Sequence, residues 1–133
     1  MARYLLDTDA IIDYLLGIPS SVTLIQNLHD RAETLCVCDV VIAEVFAGLR
    51  PPHRAAAEEL LSACTFLPSD AAIARQAGTW RYEFARKGIQ LSTTDTLVAA
   101  TAHGHGAAIV TGNVKDYPMT EIRLLPLDRA PRK

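Results

Sequence analysis

No stretch of the sequence is long and apolar enough to span a membrane, and the N-terminus lacks the basic segment and apolar run of a secretion signal. The expected location is therefore the cytoplasm, with no membrane partner. Neither G-x-x-x-x-G-K-[ST] nor G-x-G-x-x-G occurs, so a nucleoside-triphosphate or dinucleotide site is unsupported. Ser92-Thr93-Thr94-Asp95 offers hydroxyls, but no histidine motif marks a nucleophile triad. Cysteines number three, Cys36, Cys38 and Cys64; the count is odd, and C-x-C is neither a redox C-x-x-C nor half of a zinc knuckle. Cys36 and Cys38 read as small strand residues in a reducing compartment. Positive charge is not in excess: 13 Lys and Arg face 15 Asp and Glu, a net charge of −2. That balance argues against tight non-specific nucleic-acid binding, though not against an enzyme that recruits metal and touches few phosphates. Linkers, internal repeats and low-complexity stretches are also missing.

What is present is globular composition, 50% hydrophobic and 21% charged, over 133 residues. That length supports one domain, 1–133, with 129–133 as a basic, proline-containing, frayed tail. Apolar spacing predicts strands at Arg3–Leu6, Leu35–Cys38, Phe66–Leu67, Ala107–Val110 and Arg123–Pro126. Helices are predicted at Thr8–Leu16, from Ser20 or Ser21 to beyond Leu28, at Val40–Leu49, at Arg54–Ala63, from Ser69 or Asp70 to Arg86, and at about Asp95–His103. Gly17 and Pro19 are read as the stop of the first helix, Asp39 as the cap of the third, and Thr93 or Thr94 as the cap of the last. Strands alternating with helices imply an α/β sandwich around a mainly parallel sheet.

The positions of the carboxylates carry the functional signal. Asp7 directly follows a buried strand, and the carboxyl edge of an open α/β sheet is where ligands bind. Glu44 is the only charged residue between Asp39 and Arg50, on a helix that reads as buried nearly all round. Asp95 is the only formally charged residue from Gly88 to Val114, and Asp116 follows the Ala107–Val110 strand. Each has a plain alternative. Asp7, Asp9 and Asp95 suit helix caps or first turns, Asp116 suits a turn, and Glu44 suits a salt bridge to a remote arginine. Together they form a set of acids with no matching lysines or arginines nearby in sequence. Such a set repels itself unless a divalent cation neutralises it, and oxygen-only ligands favour Mg²⁺ or Mn²⁺ over zinc. His103-x-His105 is a weak metal motif beside glycines that suggest a surface turn.

Four stretches, Leu5-Leu6-Asp7-Thr8, Val40–Val45, Asp95–Ala102 and Ala108–Tyr117, follow one another in an order that resembles the PIN-domain ribonucleases, in particular the VapC-like toxins of bacterial toxin–antitoxin pairs. The resemblance covers essentially the whole chain. It implies a three-layer α/β/α sandwich and an endoribonuclease, dependent on Mg²⁺ (or Mn²⁺), that cleaves structured RNA. It also implies a cognate antitoxin whose tail covers the acid cluster, and a homodimer. Carried over by position, Asp7, Glu44 and Asp95 match the three core acids, as catalytic groups and as metal ligands. The fourth position falls within Thr111–Asp116, where Asp116 is favoured over Asn113 for its charge. Thr8, Thr111 and Asn113 are expected to support the site. Asp39 and Asp9 depart from the family pattern, which more often has serine, and asparagine or serine, at those positions.

Two other readings compete. Tyr4–Asp9 resembles the opening of haloacid-dehalogenase-like phosphatases, with Asp7 as nucleophile and Asp9 as acid/base. That reading lacks a downstream lysine and leaves Glu44 unexplained. A non-catalytic PIN-like module that binds RNA or protein is the other, against which stands the retention of mutually repelling carboxylates.

Overall fold

Helices separate most of the apolar strand runs, and that alternation favours parallel pairing. The last two strands, Ala107–Thr111 and Leu124–Pro126, are the exception, joined through a short 3-10 turn, Val114–Asp116. The computed structural model describes residues 2–128; the tail expected at 129–133 lies outside the described residues. The strands are β1 (Arg3–Leu6), β2 (Thr34–Cys38), β3 (Thr65–Leu67), β4 (Ala107–Thr111) and β5 (Leu124–Pro126). Between them run helices α1 (Thr8–Leu15), α2 (Pro19–Asp30), α3 (Asp39–Gly48), α4 (Arg54–Ser62), α5 (Ala71–Arg86) and α6 (Thr93–Gly104). The sheet order is β3-β2-β1-β4-β5, and every pairing is parallel. Every residue of β4 is buried, as are four of the five in β2. Strands buried on both faces require a helical layer on each side, which is the expected α/β/α sandwich.

This order creates a switch point. From β1 the chain winds outward to β2 and β3, then returns to the other side of β1 as β4. Loops leaving β1 and β4 therefore diverge from adjacent strands, and a crevice opens at their carboxyl ends. Register fixes which residues meet there: Leu6 lies opposite Val110, so Asp7 and Thr111 come next on each side. Leu5, Leu6, Ile109 and Val110 are fully buried and make the floor rigid.

Several local expectations change. Pro19 does not stop α1; it occupies the first turn of α2, where its missing N–H costs nothing. The break is made by Gly17, whose φ of +75° lets the chain bend by 104° between α1 and α2. Ser21, expected as a possible cap, is instead buried, and its hydroxyl donates to the Ala10 carbonyl at 2.7 Å, tying α2 to α1. The cap of α6 is Ser92, not Thr93 or Thr94. Helix α3 is not buried all round: only Val41 and Val45 are, and Glu44 is exposed. Asp39 lies in the first turn of α3 rather than ahead of it. Its carboxylate accepts from its neighbour Val40 N and from Ser69 Oγ at 2.9 Å, which anchors the loop after β3. Cys36, Cys38 and Cys64 are free thiols; burial pushes both Cys38 and Cys64 up to about 11, so they remain protonated and inert.

Because β4 is central, truncating it leaves a void no loop can fill. Ile109→Ala should destabilise the protein by about 2–5 kcal/mol. In urea unfolding this should appear as a lower midpoint at unchanged slope.

Candidate functional site

Asp7 sits where β1 turns into α1 and serves as the N-cap of that helix, its Oδ1 accepting from Thr8 N at 2.8 Å. Its other oxygen, Oδ2, accepts from two hydroxyls, Thr111 Oγ1 at 2.9 Å and Tyr117 Oη at 2.8 Å. Thr111 ends β4, and its hydroxyl also accepts from Asn113 N at 3.0 Å. The Tyr117 phenol is buried, and that burial first, then the negative charge of Asp7, holds its pKa far above the usual range. It therefore stays a donor.

Around Asp7 lies an open cleft of about 330 Å³ at the β1/β4 switch point. Asp7, Thr8, Glu44, Asp95, Asn113 and Asp116 all line it, together with Asp9, Ile12 and Asp13. Every cleft-lining residue expected from sequence is thus brought together, while Thr111 is fully buried behind Asp7. Among the described residues no lysine or arginine lines the cleft.

Asp7, Glu44, Asp95 and Asp116 reach it from four different elements. Glu44 projects from α3, and Thr8 Oγ1 donates to its Oε1 at 2.7 Å, which fixes an otherwise exposed side chain. Asp95 is in the first turn of α6; it caps nothing, since Ser92 Oγ accepts from its backbone N–H at 3.0 Å. Its pKa is raised, chiefly by burial and then by the charges of Asp116, Asp7 and Glu44, while Ser92 acts in the opposite sense. Asp95 thus feels all three of the other acids. Asp116 ends a short 3-10 turn, Val114–Asp116.

Asp9, a departure from the family pattern, acts as a clamp. Its Oδ2 accepts from Gly112 N at 2.8 Å and from Asn113 Nδ2 at 3.0 Å, holding the loop after β4. That engagement gives no support to Asp9 as the acid/base of a phosphatase, and it commits the Asn113 amide to a structural contact. Two residues gained no role from sequence. Asp13 is buried and lines the cleft, its only signal being its position one turn after Asp9. Tyr117 closes the fourth matching stretch, and nothing in a linear sequence distinguishes its hydroxyl from a core phenyl ring.

Does this donor set suit a divalent cation? The chemistry fits, with carboxylate oxygens from four elements and no cation to offset them. Among the described residues, no group of three His, Cys, Asp or Glu side chains is gathered so as to hold an ion as it stands. A cation would offset the like charges that share the cleft. His103 and His105 form no such site either. His103 packs its ring against Trp80 at 5.8 Å, and the His105 ring lies 2.8 Å from the Pro68 carbonyl. A larger hollow of about 540 Å³ lies elsewhere, between α1, α2 and α4, lined by Tyr14, Leu15, Val22, Ile25 and Leu60 among others. Its lining is mostly apolar, with Gln26, His29 and Glu59 as polar members, and it holds none of the clustered acids.

Comparison with known proteins identifies the family and the fold. The sequence model of the PIN domain matches residues 4–115. The chain is similar to Ribonuclease VapC19 of Mycobacterium tuberculosis, 34% identical over 117 residues, covering 86% of this chain and 92% of that protein. It is also similar to the tRNA(fMet)-specific endonuclease VapC of Shigella flexneri, 31% identical over 122 residues, with 88% and 91% covered. Among solved structures, DNA-bound VapBC from Salmonella typhimurium superposes with a TM-score of 0.80 at 26% identity, over 95% of this chain and 98% of that one. VapBC2 from Rickettsia felis, bound to a promoter DNA fragment, gives 0.83 at 23% identity over 95% and 99%.

The raised pKa of Asp95 has a stability consequence. The folded state binds this proton more tightly than the unfolded chain, so the associated stability is complete below the unfolded pKa of about 4 and is lost as pH rises through the folded value. Asp95→Asn should therefore raise the Tm of the metal-free protein at neutral pH, by roughly a few degrees. Thermal melts across pH should show the gain shrinking on acidification and vanishing near pH 4.

Proposed function

The chain belongs to the PIN-domain family, and on that premise we propose that it is a metal-dependent endoribonuclease of the VapC type, the toxin of a toxin–antitoxin pair, with Asp7, Glu44, Asp95 and Asp116 as its active-site acids. The observation that carries the reading is the convergence of these four carboxylates, with no lining cation, on one cleft at the sheet's switch point. An acidic cleft in a chain of net charge −2 repels a phosphodiester. RNA can enter only with a divalent cation as mediator, which makes metal dependence the electrostatic condition for binding as well as for cleavage.

The four acids would hold Mg²⁺ or Mn²⁺. Such an ion supplies polarisation of the phosphodiester, a more acidic water and charge neutralisation of the leaving oxygen. The protein's own groups do the positioning. Thr8 holds Glu44, and Thr111 holds Asp7. Ser92 orders the start of α6 and so places Asp95 at the cleft, where its carboxylate would help to hold the ion. Water then adds in line to phosphorus, the P–O3′ bond breaks, and the 3′ oxygen takes a proton. The products carry 5′-phosphate and 3′-hydroxyl ends. The substrate class is structured RNA, met in the cytoplasm.

The apolar hollow between α1, α2 and α4 suits the partner. We assign to it an apolar segment of the antitoxin, whose tail then reaches the acids, in line with the VapBC complexes that share the fold. Val22→Glu should leave cleavage intact yet weaken inhibition by the cognate antitoxin; undiminished inhibition would remove the assignment.

The decisive assay is cleavage of total cellular RNA by antitoxin-free protein, with Mn²⁺ or Mg²⁺ against EDTA, beside Asp7→Asn. Discrete fragments are expected with metal alone, at background level for Asp7→Asn, and ligatable through a 5′-phosphate. A 2′,3′-cyclic phosphate would overturn hydrolysis by water. RNA binding without cleavage at any metal concentration would favour a non-catalytic module.

A further inference from the structure

A carboxylate has about four lone-pair positions. On Asp7 three are taken: one on Oδ1 by Thr8 N, and both on Oδ2 by the hydroxyls of Thr111 and Tyr117. We propose that Tyr117 is a positioning residue which, with Thr111, fixes the Asp7 carboxylate so that Oδ1 is the single oxygen it can offer to a divalent cation. The proposal rests on the metal-site reading above and goes beyond it, because it says which oxygen acts and what holds it.

Packing alone does not explain the hydroxyl. The Tyr117 ring is 3% exposed within the main hydrophobic cluster, a place that phenylalanine would fill equally well. Placing a phenol oxygen there requires a partner, and that partner is a buried carboxylate at 2.8 Å. The two donors reach Oδ2 from separate positions, one at the end of β4 and the other just after the 3-10 turn that carries Asp116. Thr111 cannot swing away, since its hydroxyl also accepts from Asn113 N. The terminal torsion of an aspartate is broad. Tyr117 adds a second donor to Oδ2 beside Thr111, which fills that oxygen's remaining lone pair and ties it to two separate parts of the chain. In a cluster where Asp95 feels the charge of Asp7, an unclamped carboxylate would turn away from its neighbours. The clamp keeps it in place before any cation arrives.

The test is Tyr117→Phe, which keeps the ring and removes one oxygen. Mn²⁺ binding to RNA-free protein is measured by calorimetry and by the paramagnetic resonance signal of free Mn²⁺, alongside the Tm in EDTA. Mn²⁺ should bind about 10-fold more weakly or worse, the range typical for loss of an outer hydrogen bond to a ligand. Cleavage should fall in kcat rather than KM, with the deficit shrinking as Mn²⁺ rises. Thr111→Ser should keep wild-type affinity, and Thr111→Val should lose it. A Tyr117→Phe protein that melts lower but binds Mn²⁺ as the wild type does would overturn the proposal alone, leaving Tyr117 a core residue. If wild type binds no Mn²⁺, or Asp7→Asn binds it equally well, the metal-site reading falls and this proposal with it.

Discussion

Asp7 is the residue through which the sheet, the first helix and the acidic cleft are joined. Its backbone N–H donates to the Val110 carbonyl at 3.0 Å, extending the β1–β4 pairing by one residue. Its side chain caps α1 through Thr8 N and binds the end of β4 through Thr111. The side-chain contacts ask the carboxylate to accept, and aspartate accepts on both oxygens where asparagine carries a donor on one side. The same residue is thus fixed by fold and by chemistry. Its place at the switch point is set by the winding order β3-β2-β1-β4-β5, which parts the loops after β1 and β4 and leaves a crevice between them.

Around that fixed point the cleft is built against its own electrostatics. Burial and three neighbouring carboxylates raise the proton affinity of Asp95, and only the Ser92 hydroxyl offsets them. Such an arrangement lowers the stability of the metal-free fold at neutral pH, a cost that accompanies a site shaped for something not in the chain. Hydrogen bonds supplied by the framework limit the damage. Thr8 holds Glu44, Tyr117 and Thr111 hold Asp7, and the backbone of the β4 loop holds Asp9. The carboxylates line one cleft, yet among the described residues no three of them are gathered closely enough to hold an ion as they stand. Neutralisation by a cation, and then by the phosphate that the cation attracts, would relieve the repulsion. On the proposed reading, the instability of the metal-free cleft would favour binding.

What the sequence made legible follows from how local each signal is. Strand runs bounded by helices read correctly because burial on both faces leaves continuous apolar segments such as Ala107–Val110. The acids at Asp7, Glu44, Asp95 and Asp116 stood out because charge is scarce around them, and all four line one cleft. Glu44 nevertheless lies on an exposed face of α3, not on a helix buried all round. Valine, isoleucine and alanine made α3 look buried throughout, yet small apolar residues also sit on exposed faces, and only Val41 and Val45 are enclosed. The cap of α6 falls at Ser92 and not at Thr93 or Thr94, and Pro19 opens α2 and does not end α1, because several neighbours can serve as stop or cap and tertiary contacts choose among them. Asp39 and Asp9 were unreadable for a different reason. Their partners, Ser69 in one case and Gly112 with Asn113 in the other, are remote in sequence.

The choice between Asn113 and Asp116 shows what long-range contacts add. Both lie in the segment after β4 and both line the cleft, so spacing alone does not separate them. Asn113 spends its side-chain amide on Asp9 and its backbone N–H on Thr111, and so belongs to the scaffold that shapes the loop. Asp116 comes first among the charges that raise the pKa of Asp95, ahead of Asp7 and Glu44. A residue whose charge reaches the cluster is one that a cation there would also feel. The loop thus divides its labour, with asparagine fixing its path and aspartate adding charge. Tyr117, next in sequence, reaches back to Asp7 from the same segment. One short stretch, 111–117, supplies a strand end, a clamp, a charge and a positioning hydroxyl, which is why a shift of its path would alter the whole cleft.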